Sequence, residues 1–189
     1  MAKKILIGLL IAVVVVGLIV VVSLIGTYNR LVTMEETVDG AWAQVETVLQ
    51  RRYDLIPNLV NTVKGYAQQE QQVFTEVTRL RSQWGQAQTV EEKARVAGSL
   101  EGALSRLLLV VERYPELKSN QNFMALQDEL AGTENRIAVE RRRYNEAVRA
   151  YNTAIRRFPT NLVAALFGFT EKPYFEAAEG AETAPRVEF

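Results

Sequence analysis

The chain has no cysteine and no histidine in 189 residues, and only five prolines. Without cysteine there is no disulfide, no thiolate nucleophile and no site for lipoprotein processing. Without histidine the commonest general acid/base and the commonest metal ligand are missing. No Gly-rich phosphate loop follows a strand-like pattern. Adjacent carboxylates occur at Glu35–Glu36, Glu91–Glu92 and Asp128–Glu129, but neighbours on a helix diverge by ~100° and do not form a dyad. No Glu-x-x-His pair supports a di-metal bundle. A charge excess is missing too: 22 basic residues face 22 acidic ones, and setting aside Lys3 and Lys4 leaves 20 against 22. That is no footprint for nucleic acid. The expectation is a protein that is not an enzyme, with no cofactor, no metal, no nucleic acid and no small-molecule substrate.

What the chain does have is an apolar run from Ile5 to Ile25, interrupted only by Gly8, Gly17 and Ser23. As a helix it rises ~32 Å, enough to cross a ~30 Å hydrocarbon core. It is too long for a signal-peptide apolar region, and Ser23–Tyr28 is a poor cleavage site. The run reads as an uncleaved single-pass anchor in the cell membrane, after a short basic end at residues 1–4. Gly8 and Ala12 sit four apart but read as lipid-facing rather than as a helix-pairing motif. Lys3 and Lys4 precede the span, and Arg30 is the one base close behind it. The positive-inside rule then favours a bundle on the extracytoplasmic side, with the cytoplasmic side as the alternative.

Few Pro and Gly, with many Ala, Gln, Glu, Arg, Leu and Val, point to long helices over residues 26–158. Leu31, Met34, Val38, Ala41, Val45 and Val48 form a heptad-like seam with no breaker between it and the span. Gly26 and Gly40 are points of bend or close packing along it. Tyr53–Pro57 reads as a reversal, with Asp54 as N-cap and Pro57 in the first turn of the next helix. That second helix carries Leu59, Val63, Tyr66, Val73, Val77, Leu80 and Trp84, with Gly85 just beyond its end. Thr89–Glu92 is a capping box for a third helix, apolar on all sides from Leu107 to Val111. A fourth runs from about Asn120 to Phe158, where Pro159 stops it. Glu134 and Arg141 interrupt its apolar stripe. The tail, 159–189, holds a short apolar segment at 161–169 and an acidic end expected to be partly disordered.

Two candidate sites follow. The first is the reversal itself, where Arg51, Arg52, Tyr53, Asp54, Pro57 and Asn58 would present two guanidinium groups to a partner's carboxylate or phosphate. The structural reading is favoured: Arg51 and Arg52 complement a helix C-terminus, and Asp54 caps the next helix. Trp42 reads as core or interface, and Tyr28 as a headgroup-level aromatic. Tyr144–Asn145 and Tyr151–Asn152, seven apart, share a helix face as packing with a polar edge.

The second candidate depends on topology. In an up-down-up-down bundle the fourth helix returns toward the membrane. It brings six Arg between Arg141 and Arg157 against Glu146 alone. Near an anionic leaflet each base gains ~1 kcal/mol. Arg156, Arg157, Leu162, Val163, Leu166, Phe167 and Phe169 would make a second membrane contact. The competing reading has the apolar segment closing the open end of the bundle core.

The strings Tyr28-Asn29-Arg30-Leu31-Val32, Ala41-Trp42, Gln50 to Val60 (QRRYDLIPNLV), Phe158-Pro159-Thr160-Asn161 and Lys172-Pro173-Tyr174-Phe175 resemble the LemA family. The resemblance runs from the anchor to Phe189, with RRYDLIPNLV its most specific stretch. It implies a bacterial or archaeal membrane protein with one N-terminal span and a helical bundle. It implies no established biochemical activity, and an association of some members with magnetosome membranes. The family topology, with a short outside N-terminus and a cytoplasmic bundle, opposes the charge bias. The fold expected is all-α: an antiparallel up-and-down bundle of about four long helices after one transmembrane helix. The function expected is a scaffold or protein-interaction module at the lipid bilayer, meeting a protein partner or forming a homo-oligomer. The alternative is an accessory or regulatory subunit of a membrane enzyme or envelope complex.

Overall fold

The computed structural model describes residues 2–176, with side chains from Leu6 onward. The acidic end expected to be disordered lies largely outside the described residues. Every regular element among the described residues is a helix: α1 (Ala2–Lys64), α2 (Gln71–Gln86), α3 (Val90–Val111), α4 (Pro115–Lys118), α5 (Gln121–Arg156) and α6 (Thr160–Phe167). The chain divides into two compact units. Unit 1 joins Met1–Gly40 to Glu146–Lys172, and unit 2 joins Ala41–Asn145 to Pro173–Phe189. α1 and α5 contribute residues to both.

Unit 2 is an antiparallel four-helix bundle made of the last part of α1, α2, α3 and the first part of α5. Ion pairs tie the helices together, and those joining α2 to α3 run in opposite order along the chain. Arg106 of α3 meets Glu76 of α2 at 2.8 Å, and Arg113 meets Glu70 at 2.9 Å. α1 pairs with α3 through Glu46 and Lys93, and with α5 through Arg51–Glu129 at 3.4 Å and Arg52–Glu134. The core gathers Val45, Leu49, Tyr53, Ile56, Leu59 and Val63 from α1, with Phe74, Val77 and Leu80 from α2. Leu100, Leu104 and Leu107 from α3 complete it with Phe123 and Ile137 from α5. Of the apolar run at 107–111, Leu109 remains 63% exposed while Leu107, Val110 and Val111 are buried.

Local signals held at the later helix starts. Thr89 Oγ1 accepts from the Glu92 amide at 3.1 Å, and Glu92 reaches back to the amides of Gln88 and Thr89. These backbone donors hold the Glu92 carboxyl below its ordinary pKa. Asn120 opens α5 by accepting from the amides of Asn122 and Phe123. Glu134 interrupts the apolar stripe of α5 because it pairs with Arg52. Arg141 does so because its guanidinium lies 6.0 Å over the Phe175 ring.

The expected reversal at Tyr53–Pro57 is absent. α1 continues through it to Lys64 with Pro57 inside the helix, and the chain turns at 65–70 instead. Asp54 is therefore not an N-cap; it accepts from Gln50 one turn earlier at 2.8 Å. Tyr53, Ile56, Leu59 and Val63 stay in phase with Val45 and Leu49, and all are at most 2% exposed. Burying four such side chains is worth ~1.5–3 kcal/mol each, which outweighs a proline cost of ~3 kcal/mol. The proline leaves the Tyr53 carbonyl without its helical donor, and Arg81 Nε of α2 supplies one at 3.3 Å. Arg81→Met should cost ~1 kcal/mol in this background and close to nothing when combined with Pro57→Ala, which restores the amide. A double-mutant cycle by thermal unfolding measures the difference; equal costs in both backgrounds would refute the substitution of donors.

Other boundaries moved with that turn. Gly85 lies inside α2, which ends at Gln86 rather than before the glycine. Gly26 and Gly40 lie inside α1, and a Cβ at either would meet nothing within 4 Å, so neither marks a close approach. The seam of α1 buries Leu31 and Val38 in unit 1 and Val45 in unit 2, but Leu49 takes the place expected for Val48.

Candidate membrane-proximal site

Unit 1 begins with the apolar run. From Leu6 to Ile25 its large side chains are 40% or more exposed, with no protein packed over them. The stretch is long and apolar enough to cross a membrane. α1 continues beyond it without a break, so Tyr28 follows on the same rod.

α6 packs back onto that rod. The Tyr28 ring lies 4.8 Å from Phe167 and 5.7 Å from Phe169. Gly168 makes this approach: its φ of +77° ends α6 in the left-handed region that glycine enters freely. The chain then reverses, and the Phe169 amide donates to the Ala164 carbonyl at 3.0 Å. Val163 and Ala164 face inward and are buried. Leu162 and Leu166, four apart, face outward at 59% and 73% exposure. Phe158, just before α6, is exposed as well.

An extended segment after α6 is held by α5. Asn152 is 4% exposed and makes a two-bond bracket with one residue of that segment. Its Nδ2 donates to the Lys172 carbonyl at 2.9 Å, and its Oδ1 accepts from the Lys172 amide at 3.0 Å. The Lys172 ammonium reaches Glu35 at 2.8 Å and Asp39 at 3.5 Å. Burial pulls that ammonium toward neutrality, but the Glu35 bond and the two carboxylate charges outweigh it and its pKa is raised. Arg156 grips Glu171 with two bonds, one of 2.7 Å, and holds that carboxyl below its ordinary pKa.

On another face of the same unit lies a cleft of about 420 Å³. Arg30 and Met34 of α1 line it, with Glu146, Arg149, Ala150 and Arg157 from the far half of α5 and its end.

In unit 2 the same bracket recurs. Asn145 Nδ2 donates to the Phe175 carbonyl at 3.0 Å and its Oδ1 accepts from the Phe175 amide at 2.8 Å. Tyr144 donates to the Pro173 carbonyl at 2.7 Å. Trp42 packs 5.3 Å from Tyr144 and 6.1 Å from Phe175.

The two expected sites are therefore rearranged. The six residues of the presumed tip lie along one helix, not at a turn. Tyr53 is core, stacked 4.2 Å from Trp84. Arg52 is tied to Glu134 and Arg51 to Glu129. Only Arg51, Asp54 and Asn58 are exposed. Among the membrane-contact residues, Val163 is core, Phe169 packs on Tyr28, and Phe167 does so while staying half exposed. Arg156 is occupied by Glu171. Arg157, Leu162 and Leu166 remain outward, joined by Phe158, Arg30 and Arg149, which are not among the seven expected contact residues. The Tyr-Asn repeat is visible in the sequence, but its role depends on the return of the 172–175 segment to α5.

Among the described residues no group of three or more acidic side chains converges to hold a cation.

A sequence model described as the LemA family matches residues 41–189. The chain is 29% identical to "Magnetosome protein MamQ 2" of Paramagnetospirillum magneticum, covering 91% of this chain and 74% of that protein. It is 26% identical to "Magnetosome protein MamQ" of Magnetospirillum gryphiswaldense over 86% of this chain and 70% of the relative. With "Protein LemA" of Metamycoplasma hominis the identity is 24%, over 82% and 71%.

Proposed function

This chain belongs to the LemA family, and on that premise we propose that it is a membrane-anchored, non-catalytic helical module that presents its four-helix bundle as a scaffold for other proteins. Residues 5–25 span the bilayer once. The outward face of Phe158, Leu162 and Leu166 makes a second contact at the membrane surface. The bundle lies on the extracytoplasmic side, following the bases that precede the span.

One observation carries this reading: the stretch Leu6–Ile25 is apolar and uncovered. In water, sixteen large exposed apolar side chains on one helix would drive aggregation; in lipid they are solvated, and the helix satisfies its own backbone. The scaffold role is supported by the bundle's make-up. Among its described residues the interior is apolar apart from Thr133, and ion pairs such as Arg106–Glu76 and Arg51–Glu129 lie on its exposed faces, so what it offers is a surface.

Because there is no native cysteine, Gln86→Cys places a single thiol at the exposed end of α2. The protein is expected to stay in the membrane pellet through alkaline extraction. The thiol is expected to react with an impermeant maleimide on intact cells. Release into the alkaline supernatant refutes the anchor. Reaction only after lysis moves the bundle to the cytoplasmic side.

A further inference from the structure

We propose that the cleft between Arg30 on α1, Arg149 on α5 and Arg157 just past the end of α5 binds the phosphate of an anionic phospholipid headgroup. The inference rests on the membrane-anchored reading above and adds a lipid preference to it.

Charge is the first argument. Three guanidinium groups line the cleft against the single carboxylate of Glu146. Among the described residues none of the three has an ion-pair partner, whereas Arg156, on the same stretch of α5, is committed to Glu171. Arg149 lies on α5 and Arg157 directly follows its last residue, with Thr153 midway between them in sequence and also lining the cleft. Guanidinium forks match phosphate oxygens two at a time and are weakly hydrated, so they bind phosphate esters well at an interface.

Position is the second. Arg30 follows Ile25 by five residues, ~7.5 Å along the helix axis. The headgroup layer on each side of the hydrocarbon is ~5–8 Å thick. Arg30 therefore stands at the level where lipid phosphates lie, and the cleft is open at that level. Phe158 follows Arg157 directly, and Leu162 and Leu166 are exposed in the same unit. An apolar surface beside unpaired cations fits a lipid, which brings both an acyl boundary and a phosphate, better than a free anion.

The test is native mass spectrometry of the full chain released from micelles holding phosphatidylglycerol and phosphatidylcholine in equal amounts. The native chain is expected to retain phosphatidylglycerol at about tenfold over phosphatidylcholine, a difference of ~1.4 kcal/mol. Arg30→Gln/Arg149→Gln/Arg157→Gln should bring the ratio near one while leaving helicity unchanged by circular dichroism. Arg142→Gln/Arg143→Gln, removing two bases elsewhere on α5, should keep it. If the triple variant does not fold, Arg149→Glu alone, on an exposed helix surface, should still lower the ratio severalfold. Equal retention of both lipids by the native chain overturns the proposal, and so does an undiminished ratio in Arg149→Glu. Displacement of the lipid by excess inorganic phosphate assigns the cleft to free phosphate and overturns the lipid source. A chain that resists alkaline extraction yet shows no lipid preference fails this inference alone; a chain that is extracted fails the anchor.

Discussion

Trp84→Ala should destabilise the protein by ~3–5 kcal/mol, while Tyr53→Phe should change stability by less than ~1 kcal/mol or raise it. Trp84, in the last turn of α2, and Tyr53 stack with an interplanar angle of 20° in the core of unit 2. The ammonium of Lys93 lies 5.6 Å over the indole, held in turn by Glu46. Removing the indole opens a large cavity under that ion pair, and helices fixed by the Arg81 and Arg106 contacts cannot collapse into it fully. The Tyr53 hydroxyl is different. It is buried with no hydrogen-bond partner among the described residues, so its removal relieves a desolvated polar group. Chemical denaturation of the two variants separates them. If Tyr53→Phe cost as much as Trp84→Ala, the hydroxyl would have a role that burial does not explain.

The same hydroxyl makes a pH prediction. Burial pushes the Tyr53 pKa well up, against a smaller opposing pull from Arg52. Tyr151 is also raised by burial, with Glu35 adding to it. Both groups hold their protons longer folded than unfolded. Their contribution is constant below the unfolded value of ~10 and is lost as pH rises above it. Stability should fall above about pH 10 in the native chain and less steeply in Tyr53→Phe.

Asn152→Ala should cost ~2–4 kcal/mol, the second large effect. The side chain is buried and makes both bonds of its bracket to Lys172. Truncation leaves an amide and a carbonyl without partners in a place where water has little access. It also frees the segment that carries Lys172 to Glu35 and Asp39. Asn152→Asp should not rescue it: a carboxylate still accepts from the Lys172 amide but repels the carbonyl. Thermal unfolding of the full chain reads both, and a loss below ~0.5 kcal/mol for Asn152→Ala would show that the segment is held by its other contacts.

The first two predictions fall on residues whose neighbours in sequence misled. Tyr53 sits in RRYDLIP, a string rich in turn signals. Asp54 and Pro57 each favour a helix start when read locally. The competing signal was also present: Tyr53, Ile56, Leu59 and Val63 keep the helical stripe of Val45 and Leu49 across the proline. Gly65, inside the helix expected from sequence, marks the true end. A local cap is worth ~1 kcal/mol, whereas four buried side chains are worth several, so the long-range term wins.

Sequence by itself determined the all-α class, the apolar N-terminal helix, the capping box of α3 and the start and stop of α5. Each rests on a signal contained within one stretch of chain: an uninterrupted apolar run, a Thr–Glu pair three apart, an Asn before and a Pro after a periodic pattern. Tertiary structure alone decided where the first reversal falls, which arginines are paired and which remain free, and what Asn145 and Asn152 hold. Arg156 and Arg157 are indistinguishable in sequence, adjacent and alike in charge. They part because Arg156, the last residue of α5, meets Glu171, while Arg157, just past the helix, lines the cleft with Arg30 and Arg149, and both of those neighbourhoods are set by segments brought together only in the fold.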